Sequence, residues 1–228
     1  MRFIAALALA LSLAGPSLAH AGEPAPVPEV RTVPELVTAL KGTYKDVQGL
    51  SAEFTQVQRS GVSGEIRQKG KVSIQRPKKA RWEFVGGGPT DSLFVTNGKT
   101  MWVYTPSMKQ VIETPDVGAG NGMAQLLDGF DKLDEMFDVK LIDTAGGAQK
   151  KSYVVELVPR KPAQFKKVRV EFEKKKLLLE RVSIEDPFGT TTEITFSGLK
   201  TNPTLPAGTF DFTPPAGVQV IKPGTPTP

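Results

Sequence analysis

The sequence predicts a mainly β fold with a few α-helices (α+β), built on one large antiparallel sheet of about eleven strands curled toward a barrel. Three observations carry this. From Leu50 onward, apolar and polar residues alternate with a period of two in short runs bounded by Gly, Pro, Asn or Asp. Helical spacing appears in two stretches, one before the first strand and one mid-chain. Cysteine is absent, so packing rather than disulfides must hold the sheet together.

The chain starts with a basic Met1-Arg2, an apolar run Phe3–Leu13 and a small-x-small site, Ala19-His20-Ala21. That is the pattern of a secretory signal peptide over residues 1–21, cleaved after Ala21. The run is about eleven residues long, short of the roughly twenty that span a bilayer. With no cysteine to acylate, the expectation is a released protein, not an anchored one. Residues 22–31 read as a flexible, proline-rich linker. Thr32 is placed to cap a helix with Pro34 and Glu35 in its first turn, and Leu36, Val37, Leu40 and Tyr44 extend it over Val33–Val47.

Strands follow in order. Val72 and Ile74 alternate with Lys71, Ser73 and Gln75; Trp82 and Phe84 alternate with Arg81 and Glu83. Asn97-Gly98 joins Leu93–Thr96 to Thr100–Tyr104, a hairpin signal because both residues tolerate positive φ. Further strands are predicted at Lys109–Glu113, Phe137–Ile142, Ser152–Val158, Lys167–Glu173, Leu177–Glu185 and Thr190–Ser197, with a short terminal one at Phe210–Phe212. Lys174-Lys175-Lys176 reads as a solvated hairpin turn. Between hairpins, Gly118–Gly122 forms a hinge and Met123–Met136 returns to helical spacing. A helix in that position must cover a sheet face or plug an opening. The single domain is expected over 32–221, with a disordered tail at 222–228.

Composition narrows function. The sole histidine, His20, falls in the leader, so the 207 residues left after cleavage have neither imidazole nor thiol. Nucleophile–base pairs, acid–base chemistry tuned near neutral pH and nitrogen/sulfur metal sites lose their usual groups. No cofactor or metal is expected, and binding or carrying becomes the default over catalysis. Without Arg2 the charge balance is 28 Lys+Arg against 24 Asp+Glu, about +4, with the signs interspersed, which argues against nucleic-acid binding. A hydrolase with two carboxylates would have to draw on Glu53, Glu65, Asp91, Asp128 or Asp186, and no spacing pairs them. Gly86–Gly88 is followed by no Gly-Lys-Ser/Thr, so it is not a phosphate loop.

Five motifs in register resemble the periplasmic outer-membrane lipoprotein carrier family (LolA). They are Leu50-Ser51-Ala52-Glu53-Phe54-Thr55-Gln56, Gln75-Arg76-Pro77, Arg81-Trp82-Glu83-Phe84, Asn97–Pro106 and Phe210–Val218. The resemblance runs from about Val33 to Val220. It implies a curled antiparallel half-barrel with a helical lid over an apolar cavity, acting as a monomer in the periplasm of a Gram-negative bacterium. Its expected partners are acylated lipoproteins, an inner-membrane lipoprotein-releasing ABC transporter (LolCDE type) and an outer-membrane lipoprotein receptor (LolB type). That receptor is itself a lipoprotein, so the missing cysteine points to the soluble carrier. Arg76 is implied as the latch that holds the lid shut over the empty cavity. The acyl-chain cavity is expected to be lined by Phe54, Val72, Ile74, Trp82, Phe84, Leu93, Val95, Trp102 and Tyr104, with Met123, Leu126, Leu127 and Phe130 on the lid helix. The chain departs from better-known members at Ala80, where they carry a large apolar side chain, and in its glycine-rich Gly86–Pro89 turn. A lipid- or glycolipid-binding trafficking or sensing module of the same half-barrel fold is the alternative.

Overall fold

The computed structural model describes residues 30–61, 64–86, 91–115, 133–142, 151–161, 163 and 165–222. The signal peptide, most of the linker, the hinge, the four lid residues and the tail from Pro223 lie outside them. Helix α1 spans Val33–Tyr44. Its start follows from Thr32, whose hydroxyl accepts the Glu35 amide at 3.4 Å while the Glu35 carboxylate accepts the Thr32 amide at 3.1 Å. This reciprocal capping box satisfies donors that would otherwise point into solvent. Leu36, Val37, Leu40 and Tyr44 are buried at helical spacing, and the helix stops three residues short of the predicted Val47.

The strands are β1 (Gly49–Ser60), β2 (Gly64–Gln75), β3 (Lys79–Val85), β4 (Ser92–Asn97), β5 (Thr100–Thr105) and β6 (Gln110–Pro115). A single helical turn, α2 (Leu133–Met136), then leads into β7 (Phe137–Ile142), β8 (Ser152–Pro159), β9 (Lys167–Glu173), β10 (Leu179–Glu185), β11 (Thr191–Thr201) and β12 (Gln219–Ile221). All twelve belong to one sheet in the order β12-β6-β5-β4-β3-β2-β1-β11-β10-β9-β8-β7. Two meanders are thereby joined by β1 against β11, from Leu50↔Thr201 to Arg59↔Thr191.

Three expectations are corrected. Phe210–Phe212 is not a strand: the Thr209 and Asp211 amides bond locally to Pro206 and Gly208, and Pro214-Pro215 supplies no donors for a ladder. The terminal strand is β12 instead, and it is parallel to β6, so the sheet is not wholly antiparallel. In the Asn97-Gly98 turn only Gly98 takes positive φ (85°). Asn97 acts through its side chain, whose Oδ1 accepts the amides of Lys99 and Thr100 at 2.9 Å each.

The main core lies on the concave face. Leu36, Leu40 and Tyr44 of α1 join Tyr153, Val155 and Leu157 of β8, Val168, Val170 and Phe172 of β9, and Val182 of β10. The Tyr44 hydroxyl donates to the Leu177 carbonyl and accepts the Leu179 amide, both at 3.1 Å, pinning α1 to the β9–β10 turn. Burial holds that phenol well above its ordinary pKa, so it stays neutral and keeps both bonds. A second, smaller core sits on the convex face under the segment between β11 and β12. There Val95, Val111 and Phe210 are buried, and Phe212 lies 6.1 Å from Trp102 and 5.9 Å from Tyr104, ring centroid to centroid.

Candidate functional site

Strand register decides which side chains can share a surface, because neighbours alternate between faces. Phe54 pairs with Gly70 and Phe196, Gly70 with Phe84, and Val72 with Trp82. Ile74 pairs with Leu50 and with Ala80. Phe54, Val72, Ile74, Trp82 and Phe84 therefore share the concave face. Their rings form one aromatic floor: Phe54 meets Trp82 at 5.0 Å and Phe84 at 5.1 Å edge-on, Trp82 stacks on Phe84 at 6.3 Å, and Phe196 reaches Trp82 at 6.4 Å.

The other four predicted lining residues fall on the opposite side. Trp82 pairs with Phe94, so Arg81↔Val95 and Glu83↔Leu93 point the other way, and Val95↔Trp102 and Leu93↔Tyr104 carry that parity into β5. Leu93, Val95, Trp102 and Tyr104 accordingly face the convex core, and Trp102 gives its indole N–H to Glu113 at 3.3 Å. The apolar concave positions of β4–β6 are Phe94, Met101, Val103 and Ile112, with Thr96 and Thr114 between them. The sequence pattern conceals this because β4 and β5 are apolar on both faces.

Gly70 is a packing position beneath the rings that the sequence reading did not single out. A Cβ there would lie 1.8 Å from the Glu83 carbonyl oxygen and 2.9 Å from the Phe54 ring. Glycine is what lets Phe54 cross β2 to reach Trp82 and Phe84. The available signal was a lone glycine inside an otherwise regular strand. Beside the rings, Gln56 and Gln68 bond to each other at 3.2 Å across β1 and β2, so the floor carries no charged group where it turns polar.

Arg76 follows β2, half-buried, in a turn whose Arg76–Pro77 bond is cis. Its amide donates to Gln48 O at 2.8 Å and its Nη1 to the Tyr44 carbonyl at 3.2 Å, at the C-terminal end of α1. A guanidinium there also meets the negative end of the helix dipole. Ala80 is fully buried between Ile74 and Thr96, so this wall is thin rather than bulky.

The candidate acids do not converge. Glu53 is exposed on β1, Glu65 is bonded to Arg59 (2.9 Å) and Arg67 (2.7 Å), and Asp91 caps the Gly86 amide. Asp186 orders the β10–β11 turn through the Phe188 and Thr190 amides, and Asp128 lies outside the described residues. The Arg67 hydrogen bond holds the Glu65 carboxyl below its ordinary range, the reverse of what a proton donor near neutral pH requires. Among the described residues no three potential ligands cluster to hold a metal ion.

A family model described as outer membrane lipoprotein carrier protein LolA matches residues 45–213. The chain belongs to the LolA family. The match starts at the end of α1 and runs through β11 to the segment on the convex face. An outer-membrane lipoprotein carrier protein of Dechloromonas aromatica (strain RCB) is 36% identical over 209 residues, 90% of each chain. Its counterpart in Neisseria meningitidis serogroup C / serotype 2a is 33% identical over 187 residues, covering 82% of this chain and 86% of that one. The crystal structure of an uncharacterized conserved protein from Thermus thermophilus aligns at TM-score 0.53 with 12% identity, over 84% of this chain and 99% of that one, a likeness of fold alone. In LolA-family terms, the aromatic floor and Arg76 are the two features of this site with a physical role to assign.

Proposed function

We propose that this protein is a periplasmic carrier that accepts acylated lipoproteins released from the inner membrane, shields their acyl chains on the concave face, and delivers them to an outer-membrane receptor. The observation that carries the reading is the floor of Phe54, Trp82, Phe84 and Phe196, packed ring to ring on a sheet that curls but does not close. Val72 and Ile74 complete the lining on β2. Each methylene removed from water contributes about 0.8 kcal/mol, so one chain of about twelve is worth roughly 10 kcal/mol. Cargo of that kind leaves a bilayer only into another apolar container.

A container must also release. Arg76 supplies an adjustable cost: guanidinium bonds to carbonyls, worth about 1.5–3 kcal/mol each, hold the empty state and are given up on loading. The lid side chains Met123, Leu126, Leu127 and Phe130 would close the hollow above the floor. A LolCDE-type transporter would load the carrier and a LolB-type receptor unload it, after export with cleavage following Ala21. Mass spectrometry of what co-purifies with the protein from the periplasm tests the reading. Acylated lipoproteins are the expected outcome. Free glycolipid or phospholipid alone would replace it with the trafficking alternative, and an empty protein that takes up no acyl chain would end it.

A further inference from the structure

Antiparallel strands send successive turns to opposite ends of a sheet, and the two ends of this one differ in chemistry. One end carries the β1–β2, β5–β6 and β10–β11 turns. It holds the exposed apolar side chains Ile66, Met108, Met136 and Phe188, the last 92% exposed. Most of its basic residues are paired, Arg59 and Arg67 with Glu65, Lys166 and Lys167 with Glu185, and Arg160 with Asp138, which leaves Lys109 and Lys161 exposed without an ion pair among the described residues.

The other end carries the β2–β3, β4–β5 and β9–β10 turns, and each is tipped by lysine. Lys78, Lys99, Lys175 and Lys176 are exposed, and among the described residues none is paired with a carboxylate. Glu173 forms no ion pair with its own turn, because its two oxygens accept the backbone amides of Lys175 (2.9 Å) and Lys176 (2.7 Å); its charge offsets one lysine and leaves the turn net positive. The first two turns touch: the nearest atom to a Cβ built on Gly98 is Cβ of Lys78, at 3.5 Å. The turns themselves are ordered, by Asn97 in one and Glu173 in the other, so the ammonium groups are held out from fixed points. No exposed large apolar side chain lies at this end among the described residues.

We propose that this lysine end docks the protein on an anionic phospholipid surface, independently of what the concave face carries. A protein partner is the weaker fit, because specific protein interfaces are depleted in lysine at their centre and enriched in aromatics and arginine. The composition here is the reverse. Flexible ammonium groups spread over several turns match a plane of phosphates, where each contributes about fivefold to partitioning.

Flotation of the protein with phosphatidylcholine vesicles, with or without one-third phosphatidylglycerol, tests this. Binding is expected only with phosphatidylglycerol and should vanish at about 0.5 M salt, where screening is complete within a few ångströms. Lys78→Glu/Lys175→Glu/Lys176→Glu should lower partitioning by at least about a hundredfold. A control of equal charge, Lys69→Glu/Lys140→Glu/Lys161→Glu, places its changes away from these turns and should lose far less. Equal losses in the two variants would reduce the effect to net charge and overturn the proposal, as would equal binding to neutral vesicles. Salt-sensitive capture on polyglutamate beads without flotation would assign the lysine end to an acidic protein instead. Lipoprotein co-purification is read in the same preparations, so failure of docking and failure of the carrier reading are separate results.

Discussion

Gly70 and Arg76 show how much can rest on one residue. At Gly70 a methyl group would overlap a backbone oxygen, which cannot swing away as a flexible side chain could. Gly70→Ala should therefore cost about 1–3 kcal/mol of stability, at the strained end of overpacking, measured by urea denaturation. It should also disturb the Phe54–Trp82 contact, visible as a change in tryptophan emission. An unchanged midpoint would mean that β2 and β3 separate easily and that the glycine has no packing role. Arg76→Leu tests the latch: the variant should fold, since the Arg76 amide bond to Gln48 is retained, yet keep its cargo when mixed with the receptor. Release equal to wild type would remove Arg76 from the mechanism.

At the scale of elements, α1 and most strands were legible because each has one wet face or one clear stop signal. Thr32, Pro34 and Glu35 mark the start of α1, and β7 and β9 have the bounds their alternation predicts. The failures share one cause. The segment after β11 folds back over the convex face of β4–β6, so Val95, Trp102 and Tyr104 are apolar for a reason that lies far away in sequence. Parity along β4 and β5 then carries no sign to tell cavity from outer core. The same segment contains Phe210–Phe212, whose apolar period comes from packing on a sheet, not from joining it. Phe212→Ala should remove this cover's main anchor on Trp102 and Tyr104, costing about 2–3 kcal/mol, below the usual range for fully buried rings because Phe212 is only half-buried. Acyl-chain uptake should be preserved. Loss of uptake at full stability would place Trp102 and Tyr104 functionally with the cavity after all.

Across the whole molecule, charge sets the response to acid. Hydrogen bonds from Arg67 lower the pKa of Glu65, and those from Lys167 and Lys166 lower that of Glu185; the backbone amide of Arg31 leads the same shift at Glu35. A carboxylate lowered in the folded state binds its proton more readily when unfolded. Its contribution is complete above the ordinary value of 4.5 and is lost as pH falls through the lower folded values. The melting temperature should thus hold level from neutral pH to about 5 and decline below 4.5, with a shallower decline in Glu65→Gln/Glu185→Gln. An identical acid profile in that variant would show that other groups control the decline.

The seam between β1 and β11 also fixes the order of assembly. Its two sides, Leu50–Arg59 and Thr191–Thr201, come from opposite ends of the folded region. As the chain emerges from N- to C-terminus, β1 comes out early and stays an open ladder until its neighbour follows. Such distant pairings slow folding and expose intermediates to aggregation. Any product that terminates before Thr191 leaves two half-sheets with a raw edge where the finished protein has its centre.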